Sequence, residues 1–502
     1  MGKRFPELEP RWVKPAVRAG VVQSPSQRVM PYGSGERSIE GSFFLRSKTA
    51  GVWRLPAASK ARGLVLLLAL VTGTPMVACA QGIDSAGSSG HEGHVHGPAS
   101  LFAPRDTSGT AWLPDAAPMS GIHETWGRWE SMFHGIVFGQ FLIEPGDRHR
   151  TGGFSTHQFS SVNWVMASTR RRAGSGWIGL RGMASLEPWT IGDCGYISFL
   201  ATGENCEGDT IHDRQHPHDA VMELAAEYDR PLGKSLRWQI YGGLAGEPAL
   251  GPPAFPHRVS AELNPIAPIG HHWLDSSHVT FGLVTTGVYN AKWKAEASLF
   301  NGREPDEDRT DLDLGPLDAF SGRITLAASR QLVLQVSAAH LEEAEDEFPP
   351  EPRGDVERLT ASATYHRRIR GNGLVATTLA YGLNSGIEIV PGDEVRLVTH
   401  ALLLESSLTL GERHTWFGRV EVSGKPGHDL HVHESPARVF PVGKGQIGYE
   451  RALKRWRSLV PGVGGSLTLS VVPRDLQSRY SARAVSPGFV VFVSLRPSAH
   501  LM

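Results

Sequence analysis

Residues 212–219 read HDRQHPHD and residues 270–273 read GHHW. The first stretch sets His212, His216 and His218 beside Asp213 and Asp219; the second adds His271 and His272. Imidazole with carboxylate suits borderline ions, so these seven residues form a candidate zinc or copper site. Asp213 and Asp219 could orient the imidazoles from behind. The same residue types also build a latch, because buried loop polar groups need partners and histidine supplies them. Catalysis is the third possibility and needs a nucleophile. Ser260, Ser276 and Ser277 lie near the second cluster, but neither a GxSxG elbow nor HExxH occurs. The expectation is a protein that is not an enzyme, with an outer-membrane hydrolase as the remoter alternative.

More histidines surround these. His257, Asp275 and His278 fall in 252–278, and His428, His431 and His433 in 427–436. His91, His94 and His96 lie in a Gly/Ser-rich stretch, 81–100, that reads as a solvated linker or a weak metal-collecting tail. Cys194 and Cys206 stand twelve residues apart in the stretch leading to HDRQHPHD. In an oxidising compartment that pair is expected to be a disulfide.

What must position these loops is a wall of strands. Beyond residue 130, ten-residue segments with period-two alternation recur, sixteen in all. Arg358, Thr360, Ser362 and Thr364 oppose Leu359, Ala361, Ala363 and Tyr365; Lys294, Glu296 and Ser298 oppose Trp293, Ala295, Ala297 and Leu299. The links between segments alternate short and long. Short ones are basic (Arg170–Arg172; Arg367, Arg368, Arg370; Lys454, Arg455, Arg457), whereas 303–313 and 342–351 are acidic. A soluble β-sandwich gives little reason to sort loop length and charge by parity. A spanning sheet in lipid must close on itself, and short turns on one rim with long loops on the other are the layout of a transmembrane antiparallel β-barrel. The alternation predicts small, polar and charged side chains inside.

Residues 59–62 (SKAR) precede an apolar run, 63–80, ending Ala78-Cys79-Ala80. This pattern is an export signal cleaved after Ala80, with a lipoprotein anchored at Cys79 as the alternative. The organisation expected is an upstream extension plus signal peptide over 1–80, a disordered periplasmic segment over 81–130, the barrel over 131–496 and a tail over 497–502. The formal net charge of −1 leaves no footprint for nucleic acid.

The stretches HDRQHPHD, GEPALGPPAFPHR, NPIAPIGHHW and LFNGREPDEDR together resemble an uncharacterised family of predicted bacterial outer-membrane proteins. The histidine-rich stretch ahead of the barrel is also similar to copper-resistance outer-membrane proteins, though their Met-rich repeats are missing. The reading is a porin-like channel in a Gram-negative outer membrane. It would pass small hydrophilic solutes through a mouth partly closed by histidine-bearing loops, its partners being membrane lipid, solutes or metal ions. A homo-oligomer is compatible with such a barrel. Metal binding or resistance, through zinc or copper, is the alternative.

Overall fold

A computed structural model describes residues 105–116, 121–145, 157–192, 194–206, 209–345, 354–390, 393–478, 480 and 483–498. The signal segment, the 81–104 stretch with its three histidines and the end of the 497–502 tail lie outside the described residues.

The main sheet has eighteen strands. Two are short, Ile122–Trp126 and His157–Ser160, and both lie against the first long strand. The other sixteen form the wall. They are β1 Trp129–Ile143, β2 Asn163–Ala173, β3 Gly176–Ala184, β4 Val221–Leu232, β5 Leu236–Gly246, β6 Thr280–Tyr289, β7 Trp293–Phe300 and β8 Ala319–Ala327. The second half is β9 Leu332–Glu345, β10 Gly354–Ile369, β11 Gly373–Val390, β12 Asp393–Leu410, β13 His414–Pro426, β14 Val439–Ala452, β15 Leu459–Val471 and β16 Val485–Pro497. Every neighbour pair is antiparallel. Phe489–Leu495 of β16 pairs with Ile143–Val137 of β1, which closes the barrel.

The outward face carries exposed Leu180, Ile240, Val284, Leu299, Ile324, Leu359, Leu402, Val422 and Val491. Their sequence neighbours point inward and are buried, as the alternation predicts. At the short-turn rim the guanidinium of Arg171 lies over Trp129 and that of Arg170 over Trp177, at 4.8 and 5.0 Å. Trp416, Tyr449 and His414 cluster at the same rim. Such girdles suit the polar–apolar boundary of a bilayer. β11 and β12 run longer than their alternation, with pairing continuing to Val390↔Asp393. Backbone pairing there outlasts the apolar band that produces the pattern.

The interior departs from the expected polar lining. Inward residues of β16, β1 and β2 are mostly apolar: Val490, Phe492, Ile136, Phe138, Leu142, Trp164 and Met166 are buried in one cluster, with Gln140 and Ser494 among the polar exceptions. From β3 round to β14 many inward residues are charged or hydroxylic, among them Arg181, Glu223, Lys294, Glu296, Arg323, Arg358, Glu405, Arg419, Glu421, Lys444 and Glu450, interspersed with apolar Leu283, Phe300, Leu403 and Phe417. These too are buried, none more than 8% exposed. The barrel is filled rather than open.

Candidate functional site

Two pieces of chain fill the lumen. The first is loop L3, residues 247–279, which enters from the long-loop rim. Its Phe255, Leu263, Ile266 and Ala267 pack on the apolar sector of the wall. Its polar groups reach the opposite side. Arg258 is fully buried and donates to Asp275 Oδ2 at 2.5 Å, to Glu405 Oε1 at 2.6 Å and to the Pro253 carbonyl at 3.0 Å. Arg419 shares Glu405 at 3.2 Å and donates to the Ile266 carbonyl at 2.8 Å. Lys425 donates to the Ile269 carbonyl and the Trp273 indole to Thr399, each at 2.8 Å. Burial opposes a charge on Asp275, but Arg258, with His271 beside it, holds its carboxyl well below the usual range.

The second piece is residues 105–116. The composition of 81–130 predicts disorder, yet this part is a hairpin inside the barrel, with Asp106 bridged to Trp112. Its order comes from the wall. Lys294 Nζ donates to the Thr110 carbonyl at 2.6 Å and to Asp106 at 2.8 Å. Arg181 donates to the Gly109 carbonyl at 2.6 Å, and Arg323 to Thr110 Oγ1 at 2.9 Å. Both ends sit at the short-turn rim: Arg105 donates to the Ala291 carbonyl and Ala116 to that of Arg330, both in short turns. The tip meets L3. Ser108 Oγ donates to Glu247 and accepts the Ala254 N–H at 3.1 Å. Gly109 has φ +50°, and a Cβ there would stand 2.8 Å from that of Glu247, so only glycine fits. Burial pushes the Glu247 carboxyl up to about 8.

The seven predicted ligands fall in three places. His212 packs on His431 and Tyr480, with ring centroids 4.8 and 5.3 Å away. Asp213, at φ +64°, accepts from the Leu200 N–H at 2.7 Å and lies 3.0 Å from the His212 ring. His216, His271 and His272 do meet, with centroids 5.6 to 6.5 Å apart, around Glu304 of the loop 301–318. His218 instead pairs with Glu187, which binds its ring at 2.9 Å and its backbone N–H at 2.8 Å. Burial opposes protonation of His218, but the Glu187 carboxylate overrides it and raises its pKa. Asp219 lies 3.5 Å from Arg309, and burial raises it to about 6. His278 and His257 are pulled down, first by burial.

Among the described residues, three ligand atoms gather within 4.8 Å of one another only in His340–Glu342–Asp355 and Asp306–Asp311–Asp313. The predicted set is not such a group. Its members join L2 (185–220), L3 and 301–318 to one another, which is what a latch requires. Gly203 of L2, at φ +87°, lies where a Cβ would stand 2.8 Å from the His272 ring, so the two loops touch there. Cys194 and Cys206 are bonded, as the spacing predicts. Sequence reasoning missed Glu187, Glu304 and Glu405, ordinary acids that no local pattern distinguishes. The 105–116 hairpin had one signal, a Ser-Gly turn flanked by Asp106 and Trp112. Two of the serines near the histidines are otherwise engaged: Ser260 bonds Thr378 and Glu405 at 2.8 and 2.9 Å, and Ser276 accepts from Arg358 at 2.8 Å.

No protein-family model matches the chain, and no curated protein matches its sequence. Among solved structures it is similar to an anion-selective porin from Comamonas acidovorans, at 10% identity over 74% of this chain and 99% of that one, TM-score 0.43. OmpF of Salmonella typhi, in complex with daunomycin, matches at 9% identity over 74% and 100%, TM-score 0.44. The outer-membrane channel DcaP of Acinetobacter baumannii matches at 8% over 75% and 100%, TM-score 0.42. At these values the likenesses add nothing to what the closed sheet itself establishes.

Proposed function

We propose that this barrel is a Gram-negative outer-membrane channel for small hydrophilic solutes, closed at rest by L3 and the 105–116 hairpin. One observation carries the reading: from β3 to β14 the wall carries buried charged side chains, although β16, β1 and β2 are sealed largely by apolar packing. Replacing buried ion pairs by hydrophobic residues is often neutral or stabilising, so a lumen meant to stay dry has little use for them. A charged wall suits a lumen that water and ions enter. The role proposed is non-enzymatic.

The test is planar-bilayer conductance of the wild type and of a variant in which 252–276 is replaced by a short Gly/Ser linker. The shortened variant is expected to conduct in steps while the wild type stays mostly silent. Silence from both, with the barrel intact by its gel mobility, would contradict a channel. A second reading, zinc or copper held by His216, His271 and His272 with Glu304, draws on the meeting of those rings. Calorimetry of the wild type against His216→Ala and His271→Ala tests it. Equal binding by all three proteins, with lower thermal stability in the variants, leaves the latch.

A further inference from the structure

The two pieces that fill the lumen differ in how they could leave it. L3 begins and ends at the long-loop rim and is packed into an apolar cluster with β1, β2 and β16. The 105–116 hairpin begins and ends at the short-turn rim, so it can retreat without threading past any strand. Its tip is gripped by polar contacts to Arg181, Lys294 and Arg323, which water can replace. Its apolar anchors are few: Ala111, Trp112 and Leu113. The tip also braces L3 at two points, Glu247 and the Ala254 N–H. Beside these contacts a small gap lies between Ala111 and Trp112 of the hairpin, Gly251 and Pro253 of L3, and the wall at Arg323 and Gln335.

Resting on the channel reading, we infer that residues 105–116 are a withdrawable latch: tension on the chain preceding Arg105 draws the hairpin out through the short-turn rim, unbracing L3 and admitting water along the charged sector. Nothing in this needs the wall to move. The charged sector loses only the hairpin's acceptors, and Glu223, Glu227 and Glu296 stay beside its cations.

Conductance of the full barrel in planar bilayers tests the latch. Deleting 105–116 is expected to give frequent openings where the wild type is mostly silent. Lys294→Met, which removes the cation between Thr110 and Asp106, should raise open probability roughly tenfold or more, the weight of one charge-assisted hydrogen bond. Lys294→Arg should restore it in large part. Ser108→Cys should react with a membrane-impermeant thiol reagent faster in the Lys294→Met background than alone. If the deletion variant keeps its barrel mobility yet is as silent as the wild type, while the 252–276 replacement conducts, the latch is overturned and the channel reading stands. If neither conducts, both fall.

Discussion

The lumen is built in two ways. Around β16, β1 and β2 it is a hydrophobic core, where Phe492 meets Phe138 edge-on at 5.4 Å and reaches Phe417 of β13 at 6.3 Å. Around β3 to β14 it is a lattice of ion pairs, from Arg181 with Glu223 and Glu227 to Arg419 with Glu405. Both sectors are closely packed, but for different reasons. The apolar one stays closed because water gains nothing there. The charged one is closed only while L3 and the hairpin fill it, adding their carbonyls and carboxylates to ion pairs that the wall already makes with itself. The apolar sector holds L3 by packing, and the charged sector, which holds L3 and the hairpin through polar contacts that water can replace, is where the filling can be released.

The largest effect should come from breaking the charged sector at its centre. Arg258→Met leaves both Asp275 and Glu405 without their main partner. Chemical denaturation in detergent should show a loss of about 3–5 kcal/mol, the cost of removing one member of a buried pair. Open probability should rise as well. Phe492→Ala breaks the apolar sector instead. A loss of about 3–5 kcal/mol is expected from the lost burial and the cavity together, at the lower end where the site can collapse, with conductance unchanged. A rise in conductance would erase the distinction between sectors.

A smaller effect is expected outside the lumen. Leu359 is 41% exposed on the outer face, and arginine there should cost about 2–4 kcal/mol if the position is at the bilayer midplane. Its neighbour Thr360 is fully buried and bonded to Ser337 at 2.7 Å. An open, polar lumen would accept Thr360→Arg easily; this filled one should not, and refolding yield would show the difference.

The smallest effect is pH dependence at the tip of the hairpin. The Glu247 carboxyl is raised to about 8, so the folded state holds its proton more tightly than the unfolded chain does. Burial is the cause, so the stability of the folded site is full below the ordinary glutamate value, about 4.3, falls as pH rises and the buried carboxyl must ionise, and levels off above about 8. Open probability should climb over that window. Glu247→Gln keeps an acceptor for Ser108 and should flatten the curve.

The wall was legible in the sequence because alternation records a difference between lipid and lumen. Arg358, Thr360, Ser362 and Thr364 are inward as their pattern requires. The pattern is silent where both faces are apolar. Phe138 and Leu142 alternate with Val137 and Phe141, so the inward residues of β1 look like the outward ones. The histidine loops were legible as chemistry but not in their partition, because Glu187 and Glu304 choose their partners through the fold. The hairpin was hidden for a related reason. Its sequence is polar and short, and what orders it, Lys294 and Arg323, lies more than 180 residues further along.

Cysteine accessibility measures the difference between sectors most directly. Ser337→Cys and Thr360→Cys place thiols in the charged sector, Leu142→Cys and Val490→Cys in the apolar one, each in the Lys294→Met background. The rate of modification by a small, charged, membrane-impermeant thiol reagent reports where water goes when the hairpin loosens. The two charged-sector thiols should react, and faster than in the parent barrel, while the two apolar-sector thiols stay silent. Equal rates in both sectors, or modification confined to Leu142→Cys and Val490→Cys, would contradict the account.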